Sequence, residues 1–330
     1  MIKKEKNAVL LYGFMRTYKN TAKSLLENII IPNNASLFIC TYSNEGVSNL
    51  SQDKDINQTK AKHAKQQDLQ GNVVTKSSLK EIYGDYLKDS YIKEYNIDKF
   101  VQDSKNIFSP IFPIERFFSL YCNISDVVKL LIDWEEKNNI KFDNLIVTRP
   151  DLCFYSKLDL SRMDMDFLNI ANNGGNVNPT SHSELYYACY YKNVERHEYI
   201  PFHTIPFSDQ LIISRRKNLI KLSNLYDKLH DYDEIGIPLC HPETVLYYHL
   251  GLSQNLNVKI NQLYYEILRS DFIKIDNEIT HVFQKQNHVQ LTVNNKYKEK
   301  IIRDLRDIKA GTKATIRLIP NIIKYFIKEI

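Results

Sequence analysis

The sequence predicts an α/β protein built on a mostly parallel sheet flanked by helices, and three observations carry that expectation. Asn7 to Tyr12 and Ala35 to Cys40 are short apolar runs separated by a stretch with helical spacing, which gives a strand, helix, strand order. Asn144 to Thr148 is a third such run, and a long helical pattern precedes it. Gln210 to Ser214 is a fourth, leading into Lys217, Leu219, Leu222 and Leu225 at helical spacing. Alternation of this kind layers helices on a largely parallel sheet.

Taken in order, the first run reads Ala-Val-Leu-Leu-Tyr and closes on Gly13, with Arg16 and Thr17 just beyond. Ala22, Leu25, Leu26 and Ile29 mark one face of the helix that follows, and Pro32 with Asn33 and Asn34 ends it. The second run leads into Thr41 and Tyr42. Residues 43–75 are dominated by Ser, Asn, Gln, Lys and Asp, and read as a mobile polar insertion, either a lid or a surface loop without a role. From Ile114 through Phe117, Phe118, Tyr121, Ile124, Val127, Val128 and Leu131 to Trp134 the apolar stripe of a long helix is continuous. After the third run, Asn172 to His182 is a polar loop and Tyr186 to Phe207 an aromatic-rich irregular stretch. Ser214 is a candidate cap for the helix after the fourth run. Pro242 suits the first position of a helix reading to Leu250 and stopping at Gly251.

Composition narrows the chemistry. The 330 residues are 43% hydrophobic and 25% charged, which excludes a disordered, collagenous or disulfide-stapled chain. Only nine glycines occur, in neither the G-x-G-x-x-G nor the G-x-x-x-x-G-K-[ST] pattern, which argues against a Rossmann dehydrogenase or a P-loop NTPase. Five widely spaced cysteines without a C-x-x-C read as reduced thiols, and with them a cytoplasmic location. The apolar run after Lys3, Lys4 and Lys6 is short and broken by Arg16, unlike a cleaved signal peptide.

Thr148-Arg149-Pro150-Asp151 stands at the carboxyl end of a buried strand, where open α/β sheets bind ligands. A carboxylate there suits a ribose hydroxyl or a divalent cation, and a guanidinium suits phosphate oxygens. The alternative is an Arg/Asp pair that only closes a turn. Gly13, Arg16 and Thr17 reach the same edge if the strands are parallel, and two arginines from separate strand ends point to an anionic ligand. Tyr42 ends the second strand, where a nucleotide base could stack. Asp209 precedes the fourth strand and has two readings, an acceptor-side base or a partner of the loop backbone or of Arg215. Glu243 lies in the first turn of its helix, where the helix dipole favours an acid whatever the function. His182, His197, His203 and His241 read as polar loop residues. The D-x-D triplets at Asp53/Asp55, Asp164/Asp166 and Asp231/Asp233 read as chance, since none follows an apolar run.

From residue 7 to about 252 the pieces Leu-Tyr-Gly-Phe-Met-Arg-Thr, Cys-Thr-Tyr, Leu-Ile-Val-Thr-Arg-Pro-Asp-Leu, Phe-Ser-Asp-Gln-Leu-Ile-Ile-Ser-Arg and His-Pro-Glu-Thr-Val-Leu occur in order. As a set they resemble the bacterial GT-A-type glycosyltransferases of capsule, lipooligosaccharide and O-antigen clusters. The resemblance implies a GT-A-like, Rossmann-like catalytic domain over residues 1–290. It also implies transfer of a sugar from a nucleotide-diphosphate donor to a hydroxyl of a surface glycan. Gly13, Arg16, Thr17 and Tyr42 would contact the nucleotide, Arg149 and Asp151 the diphosphate and donor sugar, and Asp209 the acceptor, with Asp151 and Asp209 as the catalytic pair. In that family the third site is usually D-x-D and holds Mn²⁺ or Mg²⁺. Asp151 takes the second acidic position, while Arg149 stands where the first would be and already brings positive charge. A single Asp with substrate phosphates can still hold Mg²⁺.

The formal net charge of +5 is concentrated at the end of the chain. Lys309, Lys313, Arg317, Lys324 and Lys328 face only Glu329, among apolar residues at helical spacing. Residues 291–330 therefore read as a basic amphipathic helical extension, and 301–330 as a segment for an anionic membrane surface or for packing on the catalytic domain. Expected partners are a nucleotide sugar and a glycan or lipid-linked acceptor, with no nucleic acid, and the expected location is cytoplasmic or peripheral on the inner membrane. The rival functions are a phospho-group transferase acting on the glycan and a non-catalytic scaffold of glycan assembly.

Overall fold

In the computed structural model, β1 (Asn7–Tyr12), β2 (Ala35–Tyr42), β3 (Leu87–Lys93) and β4 (Asn144–Thr148) pair in parallel. The structure describes residues 5–46, 71–107, 114–172, 189–193, 198–201, 207–263 and 265–268. The chain divides into two units, Met1–Lys274 and Ile275–Ile330, and every described residue belongs to the first. The expected extension at 291–330 lies outside the described residues.

Three further pieces complete the main sheet. β6 (Leu168–Asn172), β9 (Leu211–Arg215) and β10 (Val258–Gln262) join to give the seven-stranded order β10-β6-β9-β4-β1-β2-β3. β9 runs antiparallel to both its neighbours, and every other pairing is parallel. The α/β class and mostly parallel sheet are thus as the sequence predicts, with one reversed strand that it did not. Two small antiparallel pairs lie outside the sheet: β5 (Leu152–Phe154) with β11 (Tyr265–Ile267), and β7 (Cys189–Asn193) with β8 (Glu198–Pro201).

Strand alternation sorts the core into two faces. Leu10 and Tyr12 of β1, Phe38 and Tyr42 of β2, Leu145 and Val147 of β4 and Ile212 of β9 share one apolar cluster. The 24-residue helix α4 (Glu115–Asn138) covers that face with Phe118, Tyr121, Ile124, Val127, Val128 and Leu131. It ends where expected, on Asn139 in the left-handed conformation. Val9, Leu11, Leu37, Ile39, Ile146, Leu211 and Ile213 face the other way. There α1 (Tyr18–Leu25) and its π-helical continuation Leu26–Ile30 supply Tyr18, Ala22, Leu25 and Ile29. Each such fully buried Leu, Ile, Val or Phe side chain contributes about 1.5–3 kcal/mol, so β1, sealed on both faces, is a rigid base for the loop that follows it.

Several helices are short. α2 (Lys76–Tyr83) and α3 (Ile97–Asp103) flank β3, an edge strand whose polar sequence hid it from periodicity. β9 runs straight into α5 (Arg216–Leu219), so Ser214 is a strand residue rather than a cap; its hydroxyl lies on the carbonyls of Met165 and Phe167. α6 (Leu229–Glu234) follows, then α7 (Pro242–Tyr247) with Pro242 at its start and a π-helical turn, Tyr248–Leu252, beyond it. The stem of the polar insertion is closed by a bridge between Asn44 and Val73.

Two features of this topology position a site. β2 lies on one side of β1 and β4 on the other, so the carboxyl ends of β1 and β4 flank a point where strand order reverses, the usual crevice of open α/β sheets. Because β9 is reversed and Leu211 pairs with Thr148, the residues that enter β9 sit at that same edge.

Candidate functional site

The loop after β1 is shaped by its backbone. Gly13 has φ +97° and donates its N–H to Cys40 O at 3.1 Å; a Cβ on it would meet nothing within 4 Å, so the left-handed turn is what requires glycine. Three residues on, Arg16 has φ +44° without being glycine, and its N–H donates to Glu45 O at 2.6 Å. Glu45 is itself held by Lys19 Nζ at 2.8 Å and Asn72 Nδ2 at 2.9 Å, so the stem of the insertion fixes the backbone of Arg16.

Arg16 and Arg149 converge on Asp151. Arg149 donates Nε to Oδ1 at 2.9 Å and Nη2 to Oδ2 at 2.7 Å, and Arg16 Nη1 reaches Oδ2 at 3.1 Å. The Asp151 side chain is 1% exposed, against 17% for Arg149 and 25% for Arg16. Burial works against the Arg149 charge, but the field and hydrogen bonds of Asp151, helped by Asp209, more than offset it and raise its pKa. The turn is braced from two sides. Thr21 donates its hydroxyl to Pro150 O, and Leu268 donates its N–H to Asp151 O at 2.8 Å. Thr17 in turn donates its hydroxyl to Leu268 O at 2.8 Å.

Asp209 lies at the same edge. Thr148 donates its hydroxyl to Gln210 O at 3.0 Å, and Tyr12 donates its hydroxyl to Asp209 O at 2.7 Å. Asp209 is 7% exposed. The alternative partner Arg215 sits at the far end of β9, roughly 13 Å along a five-residue strand, and pairs with Glu5 instead.

Tyr42 is placed differently from a stacking platform. It is 1% exposed, its hydroxyl lies 3.1 Å from Ser119 Oγ, and its ring packs on half-buried Phe14 at 4.7 Å and Tyr95 at 4.9 Å. Gly46, at φ +69°, is the close neighbour of Phe14, where any Cβ would fall 2.6 Å from the ring. The rings nearer the surface are therefore Phe14 and Tyr95, with Tyr42 beneath them.

Two residues gain weight from the fold. Tyr121 of α4 donates its hydroxyl to Leu239 O at 2.7 Å, which ties the segment before α7 to α4, and the rings of Phe207 and Tyr247 lie 5.7 Å apart, so α7 is held beside the entry to β9 through its last residue. The charge of Glu243 is consequently felt by both Tyr12 and Tyr121, whose pKa values are raised first by burial. Its only sequence signal was the acid after Pro242. Burial lowers the pKa of the neighbouring His241. Four cysteines, Cys40, Cys122, Cys153 and Cys240, are buried free thiols, and burial pushes Cys40 and Cys122 upward, which leaves them poor nucleophiles. Asp164 accepts from the N–H of Asp166 within an exposed turn, and Asp231 pairs with Lys228, so neither triplet belongs to the site.

The divalent cation implied at Asp151 does not fit these residues. Both carboxylate oxygens are already engaged by guanidinium groups, and a cation at metal–oxygen distance would sit against two positive charges. Among the described residues no cluster of three or more His, Cys, Asp or Glu could hold a metal ion.

No protein-family model matches the chain, and no curated protein sequence matches it. Among the described residues no helix is long and apolar enough to cross a membrane.

Proposed function

We propose that this protein is a glycosyltransferase that moves a sugar from a nucleotide-diphosphate donor to a hydroxyl of a bacterial surface glycan. The observation that carries this reading is the meeting of Arg16 and Arg149, from two strand ends, on one buried carboxylate at the point where strand order reverses, with Asp209 beside them. The ordered set of motifs that resembles GT-A-type enzymes supplies the reaction.

In this reading the nucleotide lies over the loop of Gly13, Arg16 and Thr17, its base against Phe14 and Tyr95 with Tyr42 in support. The guanidiniums of Arg149 and Arg16 take the charge that develops on the diphosphate as the bond to the anomeric carbon breaks. The acceptor hydroxyl attacks that carbon, and the Asp209 carboxylate accepts its proton. The buried position of Asp209 suits a base that must be desolvated to act. A membrane-facing extension would bring the enzyme to a lipid-linked acceptor.

Asp151→Ala tests the reading. It is expected to abolish transfer while circular dichroism still reports the α/β fold, because the two guanidiniums lose the group that aligns them. Near-normal turnover by the folded variant contradicts the assignment.

A further inference from the structure

The mismatch between Asp151 and a metal ligand leads to an inference that rests on the nucleotide-diphosphate reading above. We propose that the diphosphate is held without a divalent cation, by the guanidinium groups of Arg149 and Arg16, with Asp151 as the positioning carboxylate that aligns them. Three bonds from two guanidiniums converge on the Asp151 oxygens, two of them on Oδ2. A carboxylate so engaged has little left for a hard cation, which needs oxygen lone pairs at about 2.0–2.6 Å. Two guanidinium charges against one carboxylate leave the triad itself positive, with the Asp209 charge beside it, so aligned N–H donors take the part of an ion more than net charge does.

The donors remain usable. Arg149 spends two of the five N–H groups of a guanidinium on Asp151, and 17% of its side chain is open. Its fork is held flat by that bidentate grip, so the remaining N–H groups are fixed in direction before a ligand arrives, the arrangement that favours a bidentate oxyanion. Arg16 is fixed independently, through its backbone N–H on Glu45 O. The raised pKa of Arg149 keeps the fork charged at any working pH. In a site with few glycines to offer backbone amides, side-chain cations are the means of holding phosphate that the sequence supplies.

The test is calorimetric and thermal-shift titration of the full chain with UDP, GDP and inorganic pyrophosphate, in EDTA and again with Mn²⁺ or Mg²⁺. At least one probe is expected to bind with affinities that agree within about tenfold in the two conditions, and Arg149→Ala or the more exposed Arg16→Ala to weaken it by about tenfold or more. If binding is more than about tenfold tighter with Mn²⁺ or Mg²⁺ than in EDTA, the inference is overturned while the glycosyltransferase reading stands. Binding in EDTA that both arginine variants leave unchanged overturns it as well. Absence of binding by every probe in both conditions overturns it together with the reading on which it rests.

Discussion

The Tyr12 hydroxyl donates a 2.7 Å hydrogen bond to the backbone carbonyl of Asp209, a residue 197 positions later. The last residue of β1 thus sets the position of the acid at the entry to β9. Burial first, then the charge of Asp209, raises the Tyr12 pKa, so the phenol stays a donor at any working pH. Tyr12→Phe is expected to cost about 1–2 kcal/mol in denaturant unfolding, since the carbonyl loses a buried donor. Turnover should fall by about tenfold through misplacement of Asp209, with donor affinity unchanged. A loss of donor affinity equal to the loss of turnover would show that Tyr12 acts on the nucleotide side instead.

Glu243 gives a contrasting case. A dipole role in the first turn of α7 would make Glu243→Gln a change of about 0.3–1 kcal/mol in stability with normal kinetics. Its charge acts on Tyr12 and Tyr121 as a minor influence behind burial, and in the proposed reading it stands with the acceptor-side groups. The expected outcome is a fall in turnover of about tenfold at unchanged donor affinity, measured by initial rates at saturating donor.

Away from the site, Arg216 binds Glu135 through Nε at 2.8 and 2.9 Å and through Nη2 at 2.5 Å, and Glu135 also accepts the Phe142 N–H at 2.9 Å. This joins the end of α4 to the start of α5. Glu135→Ala strands a guanidinium and a backbone donor, and should lower unfolding stability by about 3 kcal/mol. Nucleotide affinity at a temperature where the variant is folded should be unchanged.

His249 is a buried imidazole whose Nδ1 lies 2.6 Å from the Tyr232 hydroxyl and whose Nε2 lies 2.9 Å from Lys221 O. The carbonyl accepts, so Nε2 carries the proton and Nδ1 accepts from Tyr232. Burial lowers the His249 pKa below its ordinary 6.5, as it does for His241. Above that value both imidazoles are neutral in the folded and unfolded chain and add no pH dependence. As pH falls below about 6.5 the unfolded chain takes up protons first, and stability falls with it. His249→Gln keeps a donor and an acceptor without titrating. It should flatten part of the decline in unfolding midpoint between about pH 6.5 and 5, leaving the share of His241.

What the sequence revealed follows from burial. β1, β2 and β4 are covered on both faces, so their runs are continuously apolar and legible. β3 is an edge strand reading Leu-Lys-Asp-Ser-Tyr-Ile-Lys, and its exposed positions erase the pattern. The reversal of β9 could not be read, because a strand sealed on both faces is equally apolar in either direction. Strand ends pointed to Arg16, Arg149 and Asp151, since residues beyond parallel strands share an edge. That Asp151 accepts from both arginines was hidden, since Arg16 reaches it across 135 residues. Tyr42 looked like a platform for the same reason: Ser119, which its hydroxyl meets, lies on a helix 77 residues away.

The most direct test of the central claim is mass spectrometry of products after incubation with a panel of nucleotide sugars and a glycan acceptor. The account expects the acceptor to gain one glycosyl residue and the nucleoside diphosphate to be released, both lost in Arg149→Ala. Gain of a phospho-group with release of a nucleoside monophosphate, or no product from any donor while the protein is folded, would contradict it.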